Sequence, residues 1–136
     1  MQLVIAEKPS VAKSIADVLG ALDRQDGYFE GGGYLVSWCV GHLIELAEPE
    51  SYGDQWKKWT FESLPVNPEH WQYEIKEDTK EQYDVLYGLL HDSRVDEVVC
   101  EFDKNFRVID KNFCVDFVLT WYNCCSVFIL IFFNKL

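Results

Sequence analysis

The first twenty residues constrain the fold most. A short apolar run, Leu3-Val4-Ile5-Ala6, leads directly into Glu7-Lys8-Pro9-Ser10. Val11, Ala12, Ile15, Val18 and Leu19 then recur at helical spacing, and Gly20 follows as a stop. A buried strand feeding an amphipathic helix through so short a turn is the opening of an α/β sheet. It sets an acid and a base side by side at the carboxyl end of a strand, where ligands and chemistry gather in open α/β sheets. The same pair on a solvated turn is the plain structural alternative.

The 136 residues make one ordinary domain, long enough to bury a core. An apolar fraction of 49% with five Trp excludes a disordered chain. Met1-Gln2-Leu3 runs into a strand and charged residues, so no secretory signal is expected. The five cysteines (Cys39, Cys100, Cys114, Cys124 and Cys125) are odd in number and contain no CxxC pair. Neither a zinc site nor a disulfide framework is indicated, and a reducing cytoplasm is the expected compartment.

The net charge of −11 argues against a free-standing nucleic-acid binder, since phosphate contacts need Lys and Arg. It is compatible with a module whose acids hold a divalent metal. The charge is also uneven. Residues 1–100 carry 8 basic and 19 acidic side chains, whereas residues 101–136 carry four of each. After Cys100 there is no Pro, Gly or Ala, seven of the nine Phe appear, and Phe117 to Phe133 is a run of 17 uncharged residues. We therefore divide the chain into a domain over 1–100 and an aberrant apolar tail over 101–136. Three readings of the tail stay open. It is a membrane anchor at the lower limit of length, a buried terminal helix or strand pair, or off-register translation of an AT-rich gene. The bias toward Phe, Ile, Asn, Lys, Leu and Cys favours the third, and no membrane partner is expected.

Between these ends the pattern is α/β with an inserted β-hairpin. Tyr28-Phe29-Glu30 and Tyr34 to Val40 flank Gly31-Gly32-Gly33. Residues 54–71 read as irregular, punctuated by Pro65 and Pro68. A helix is expected from Lys76, with Tyr83, Leu86, Tyr87, Leu89 and Leu90 on one broad face, and Val95 to Cys100 reads as a second short apolar strand. The order strand, helix, hairpin, helix, strand implies a small sheet with a parallel core, flanked by helices.

Four ordered blocks together carry a family likeness. They are Ile5 to Ala12, Trp38-Cys39-Val40-Gly41-His42-Leu43, Trp59 with Leu64-Pro65 and Pro68 before Trp71, and Val95 to Cys100. Over about residues 1–100 the chain resembles the amino-terminal Toprim domain of bacterial type IA DNA topoisomerases, topoisomerase III above all, including versions on mobile elements. The resemblance implies Mg²⁺-dependent cleavage of one DNA strand by a tyrosine, strand passage and religation, with no nucleotide cofactor. It implies Glu7 as the catalytic and metal-linked glutamate and Lys8 as the cation beside the scissile phosphate. Oxygen ligands suit Mg²⁺, which keeps several waters and needs only one or two carboxylates. An ammonium group there can stabilise developing phosphoryl charge. His42 and Trp59, with Lys8, are the residues it turns toward single-stranded DNA, and Trp56-Lys57-Lys58-Trp59 combines the stacking rings and charges that such contact uses. A packed loop and a structural histidine are the plain alternatives. His70 and His91 read as solvated, Cys39 and Cys100 as core thiols, and the acids from Glu45 to Asp54 as a solvated loop.

The likeness ends where the composition changes. The family's Asp-x-Asp-x-x-Gly motif should follow Val98-Val99-Cys100, but the chain reads Glu101-Phe102-Asp103-Lys104-Asn105-Phe106-Arg107. Asp103 matches the first aspartate and the second metal ligand, Asn105 stands where a second acid or a glycine would be, and the following Arg-Glu-Gly is missing. Tyr122, the one tail tyrosine, lacks the family's active-site context. A topoisomerase fragment without activity of its own is the expected function. A small Toprim metal-dependent nuclease, or a non-enzymatic membrane-tethered or interaction protein using the apolar tail, are the alternatives.

Overall fold

A computed structural model of the chain describes residues 1–102 and 105–109, with side chains described through residue 101. Strand β1 (Gln2–Ala6) lies at the centre of a six-stranded sheet. On one side it pairs in parallel with β4 (Tyr34–Trp38), and on the other, also in parallel, with β7 (Glu97–Phe102). Antiparallel strands complete the edges. These are β3 (Tyr28–Gly31) and β2 (Asp23–Arg24) beyond β4, and β8 (Asn105–Ile109) beyond β7. The parallel core, the flanking helices and the β3–β4 hairpin around Gly31-Gly32-Gly33 all match the reading of the sequence.

The alternation of side chains along β1 divides the core in two. Leu3 and Ile5 join Leu35, Leu43, Val98 and Cys100 beneath helix α2 (Lys80–His91), which contributes Leu86, Leu89 and Leu90. Val4 and Ala6 turn to the opposite face, against Val36 and the small residues Ala12 and Ala16 of helix α1 (Pro9–Leu19). Burial on both faces explains why β1 is a continuous apolar run rather than an alternating one. Each buried Leu or Ile contributes about 1.5–3 kcal/mol. Cys39 and Cys100 are fully buried in the core, as expected.

Two helical faces differ from their sequence pattern. Val18, placed with the buried face of α1, is 85% exposed. The physical reason is an open apolar groove of about 510 Å³ between α1 and the sheet, lined by Val4, Val11, Ile15, Val18, Leu19 and Val99. The helix seats Ala12 and Ala16 and leaves its flank toward β7 open. Likewise Tyr87 is half exposed, its ring tilted against that of His91 with centroids 4.2 Å apart. The His91 ring also lies at the helix end, with Nδ1 2.8 Å from the Tyr87 carbonyl oxygen.

The expected irregular stretch holds short 3₁₀ turns at Asp54–Trp56 and Phe61–Ser63. It is bracketed by a separate antiparallel pair, β5 (Ile44–Leu46) and β6 (Tyr73–Ile75), that the sequence did not suggest. The Tyr73-Glu74-Ile75 alternation spans only three residues, too short to mark a strand, and all three are exposed. No helix among the described residues is long and apolar enough to cross a membrane. Of the tail, residues 101–102 and 105–109 are described, as the end of β7 and as β8, while Tyr122 and the uncharged run from Phe117 to Phe133 lie outside the described residues.

Polar ties fix α2 to the sheet. The Gln82 Nε2 donates to the Trp38 carbonyl at 2.8 Å and shares its second hydrogen between the Gly27 carbonyl and the Ser37 hydroxyl, each 3.1 Å away. Ser37, fully buried, donates in turn to the Gly27 carbonyl at 2.8 Å. The glycine hairpin is docked as closely on α1. Gly20 ends that helix at φ 75°, and Gly32, at φ 59°, sits so near that a methyl group on it would meet the Leu19 carbonyl oxygen at 2.6 Å. Gly32→Ala therefore combines a left-handed backbone with a backbone clash. It should destabilise the fold by about 1–3 kcal/mol, read as a lower urea midpoint at unchanged slope.

Candidate metal and nucleic-acid site

Because β1, β4 and β7 are parallel, their carboxyl ends meet at one edge of the sheet. Ala6 pairs with Trp38, and Ile5 with Cys100. The Cys39 N–H donates to the Ala6 carbonyl at 2.9 Å, closing the β4 side of that edge. Glu7 is the first residue beyond β1. Pro9, at the first turn of α1, disfavours helical backbone at Lys8, which is extended (φ −137°, ψ 150°). The chain thus leaves the strand abruptly, and the Lys8 carbonyl accepts the Ala12 N–H at 3.0 Å to start the helix.

Glu7 and Lys8 meet as the sequence implied, with Lys8 Nζ 3.5 Å from Glu7 Oε1. Their side chains are 41% and 66% exposed respectively. An ion pair this open to water contributes little to stability, typically below about 1 kcal/mol. Both groups are therefore available at the sheet edge for something else.

A third residue, which the sequence did not single out, stands beside them. Glu101, on β7, is only 6% exposed. Its Oε2 accepts a hydrogen bond from the Glu7 backbone N–H at 3.4 Å. The strand was expected to end at Cys100, so Glu101 read as the start of a degraded motif. The available signal was its place, directly after an apolar strand that has to pair beside β1.

The other expected site residues fall elsewhere. His42 is exposed in the turn that leaves β4, after Gly41 at φ 78°. Trp59 belongs to the segment between β5 and β6, outside the six-stranded sheet, and is 73% exposed. Phe61 beside it is 93% exposed, and Lys57 is held by Asp54 at 2.6 Å. Asp103 lies outside the described residues. Among those described, no group of three or more His, Cys, Asp or Glu side chains could hold a metal ion. Glu7, with oxygen donors open to water at a strand end, nevertheless suits a cation that keeps most of its hydration and takes one or two carboxylates.

Residues 2–106 match the family described as the Toprim domain. The chain belongs to this family. Curated relatives of this Toprim chain include the DNA topoisomerase 3 of Shouchella clausii (strain KSM-K16), 43% identical over 100 residues, and that of Bacillus anthracis, 43% identical over 101 residues. Each alignment spans 74% of this chain and 14% of the relative. The DNA topoisomerase 3 of Haemophilus influenzae (strain ATCC 51907 / DSM 11121 / KW20 / Rd) is 47% identical over 93 residues, 67% of this chain and 14% of the relative. The chain thus spans about one seventh of the length of the relatives it matches.

The exposure of the Glu7–Lys8 pair separates a functional role from a structural one. Lys8→Ala should change folding stability by no more than about 0.5 kcal/mol in urea denaturation. A larger loss would make Lys8 part of the scaffold.

Proposed function

We propose that this chain is a topoisomerase III-like fragment of a type IA DNA topoisomerase. In this reading its Toprim domain holds Mg²⁺ at the carboxyl edge of the sheet and binds single-stranded DNA, but it does not relax DNA by itself. The observation that carries the reading is the exposed Glu7–Lys8 pair at the end of β1, in a chain of the Toprim family whose relatives are named DNA topoisomerase 3.

Glu7 would hold the cation with Asp103 and serve as the proton-transfer group. Bound Mg²⁺ would supply positive charge against a scissile phosphate. Lys8, extended away from the strand end, would add a second positive charge to the phosphoryl oxygens. His42, in the turn from β4, would touch the DNA backbone, and Trp59 would offer a face to an unpaired base. The family match runs through residue 106, a few residues past the change in composition after Cys100. The sequence Asp103-Lys104-Asn105 keeps one carboxylate where the family motif has two, which leaves the cation weakly held. Cysteines buried in the core, Cys39 and Cys100, suit a reducing cytoplasm.

Magnesium titration followed by NMR tests the metal reading. Saturable binding should be weakened by Glu7→Gln and by Asp103→Asn, and binding indifferent to both changes would sink it. The activity reading has its own check. The purified 136-residue chain should leave supercoiled plasmid unrelaxed in the presence of Mg²⁺, and relaxation would show that it is competent alone.

A further inference from the structure

We propose that Glu101 is a positioning residue for Glu7, holding the backbone of the metal-linked glutamate in place. The proposal rests on the reading of Glu7 as a Mg²⁺ ligand, and its geometry stands independently. The β1–β7 ladder pairs Gln2 with Glu97 through Ile5 with Cys100. Glu7 lies past that ladder, where its N–H faces the β7 side without a strand register to supply an acceptor. The carboxylate of Glu101 supplies one, with Oε2 3.4 Å from the Glu7 nitrogen.

Burial makes this arrangement consequential. Glu101 is 6% exposed, whereas the Glu7 side chain is 41% exposed. A carboxylate withdrawn from water depends on protein donors, because desolvating it without them is costly. The two acids therefore divide the work. Glu101 faces inward and fixes the main chain at the strand end, and Glu7 points its oxygens outward from that fixed point. Groups that orient a metal ligand typically matter about 10–100-fold in affinity when lost.

The test uses the full chain with ¹⁵N-labelled amides, compares Glu101→Ala, Glu101→Gln and Glu7→Gln, and records thermal melting for each. Magnesium chloride is the probe. Glu101→Ala should move the Glu7 amide resonance upfield and weaken Mg²⁺ binding about tenfold. Glu101→Gln, which keeps an oxygen acceptor of the same length, should retain the Glu7 resonance near its original position and most of the affinity. If both variants lose affinity equally while the Glu7 amide stays in place, Glu101 acts through charge or direct ligation and the positioning role is overturned. An unmoved Glu7 amide in a folded Glu101→Ala chain overturns it as well. If Glu101→Ala does not fold, the Gln variant decides, since loss of the Glu7 amide position there contradicts the proposal. Failure of the metal reading looks different. The wild-type chain and Glu7→Gln would then both ignore Mg²⁺, while the amide shift in Glu101→Ala would still report on positioning.

Discussion

Parallel pairing of β1 on both of its edges is the constraint on which the rest of the structure depends. The strand is five residues long, and four of them are buried. With β4 on one side and β7 on the other, its backbone groups find partners within the sheet. With α2 on one face and α1 on the other, its side chains divide between two apolar clusters. Parallel strands need crossover connections, and these carry the helices that cover the faces. The carboxyl ends of β1, β4 and β7 are brought to one edge by the same requirement.

That edge is where polarity returns. Four buried apolar positions end at Glu7, and Pro9 turns the chain into α1 after a single extended residue. The result is an acid and a base attached to a strand paired on both edges, while their charged ends remain in water. Rigidity of the backbone with exposure of the side chain is the combination a metal- or phosphate-binding group needs. The buried carboxylate of Glu101 strengthens the first of these without reducing the second.

Much of this was legible in the sequence because strong local signals agreed with the tertiary answer. The apolar run at Leu3–Ala6, the glycines before Tyr34 and the spacing of Leu86, Leu89 and Leu90 each have one favourable use. The misses have physical causes too. The Val18 position carries the helical period of a buried residue, but α1 settles on its alanines and leaves an apolar groove open beside it. The strands β2, β5 and β6 are two or three residues long and mostly exposed, so their pairing comes from neighbours rather than from their own pattern. Gln82, partly buried, and Ser37, fully buried, form a polar connection between α2 and β4, and no sequence period announces such a pair.

The sequence by itself determined the α/β class, the parallel core and the adjacency of Glu7 and Lys8, because these follow from local hydrophobic periodicity and from chain neighbours. Only the tertiary structure decided that Glu101 stands at Glu7, since 94 residues separate them and the contact exists only through the β1–β7 register. It also decided that His42 leaves from the β4 end while Trp59 stands on a separate excursion between β5 and β6. Long-range register and side-chain burial are properties of the assembled sheet, and a linear pattern encodes them only through the partners it will meet.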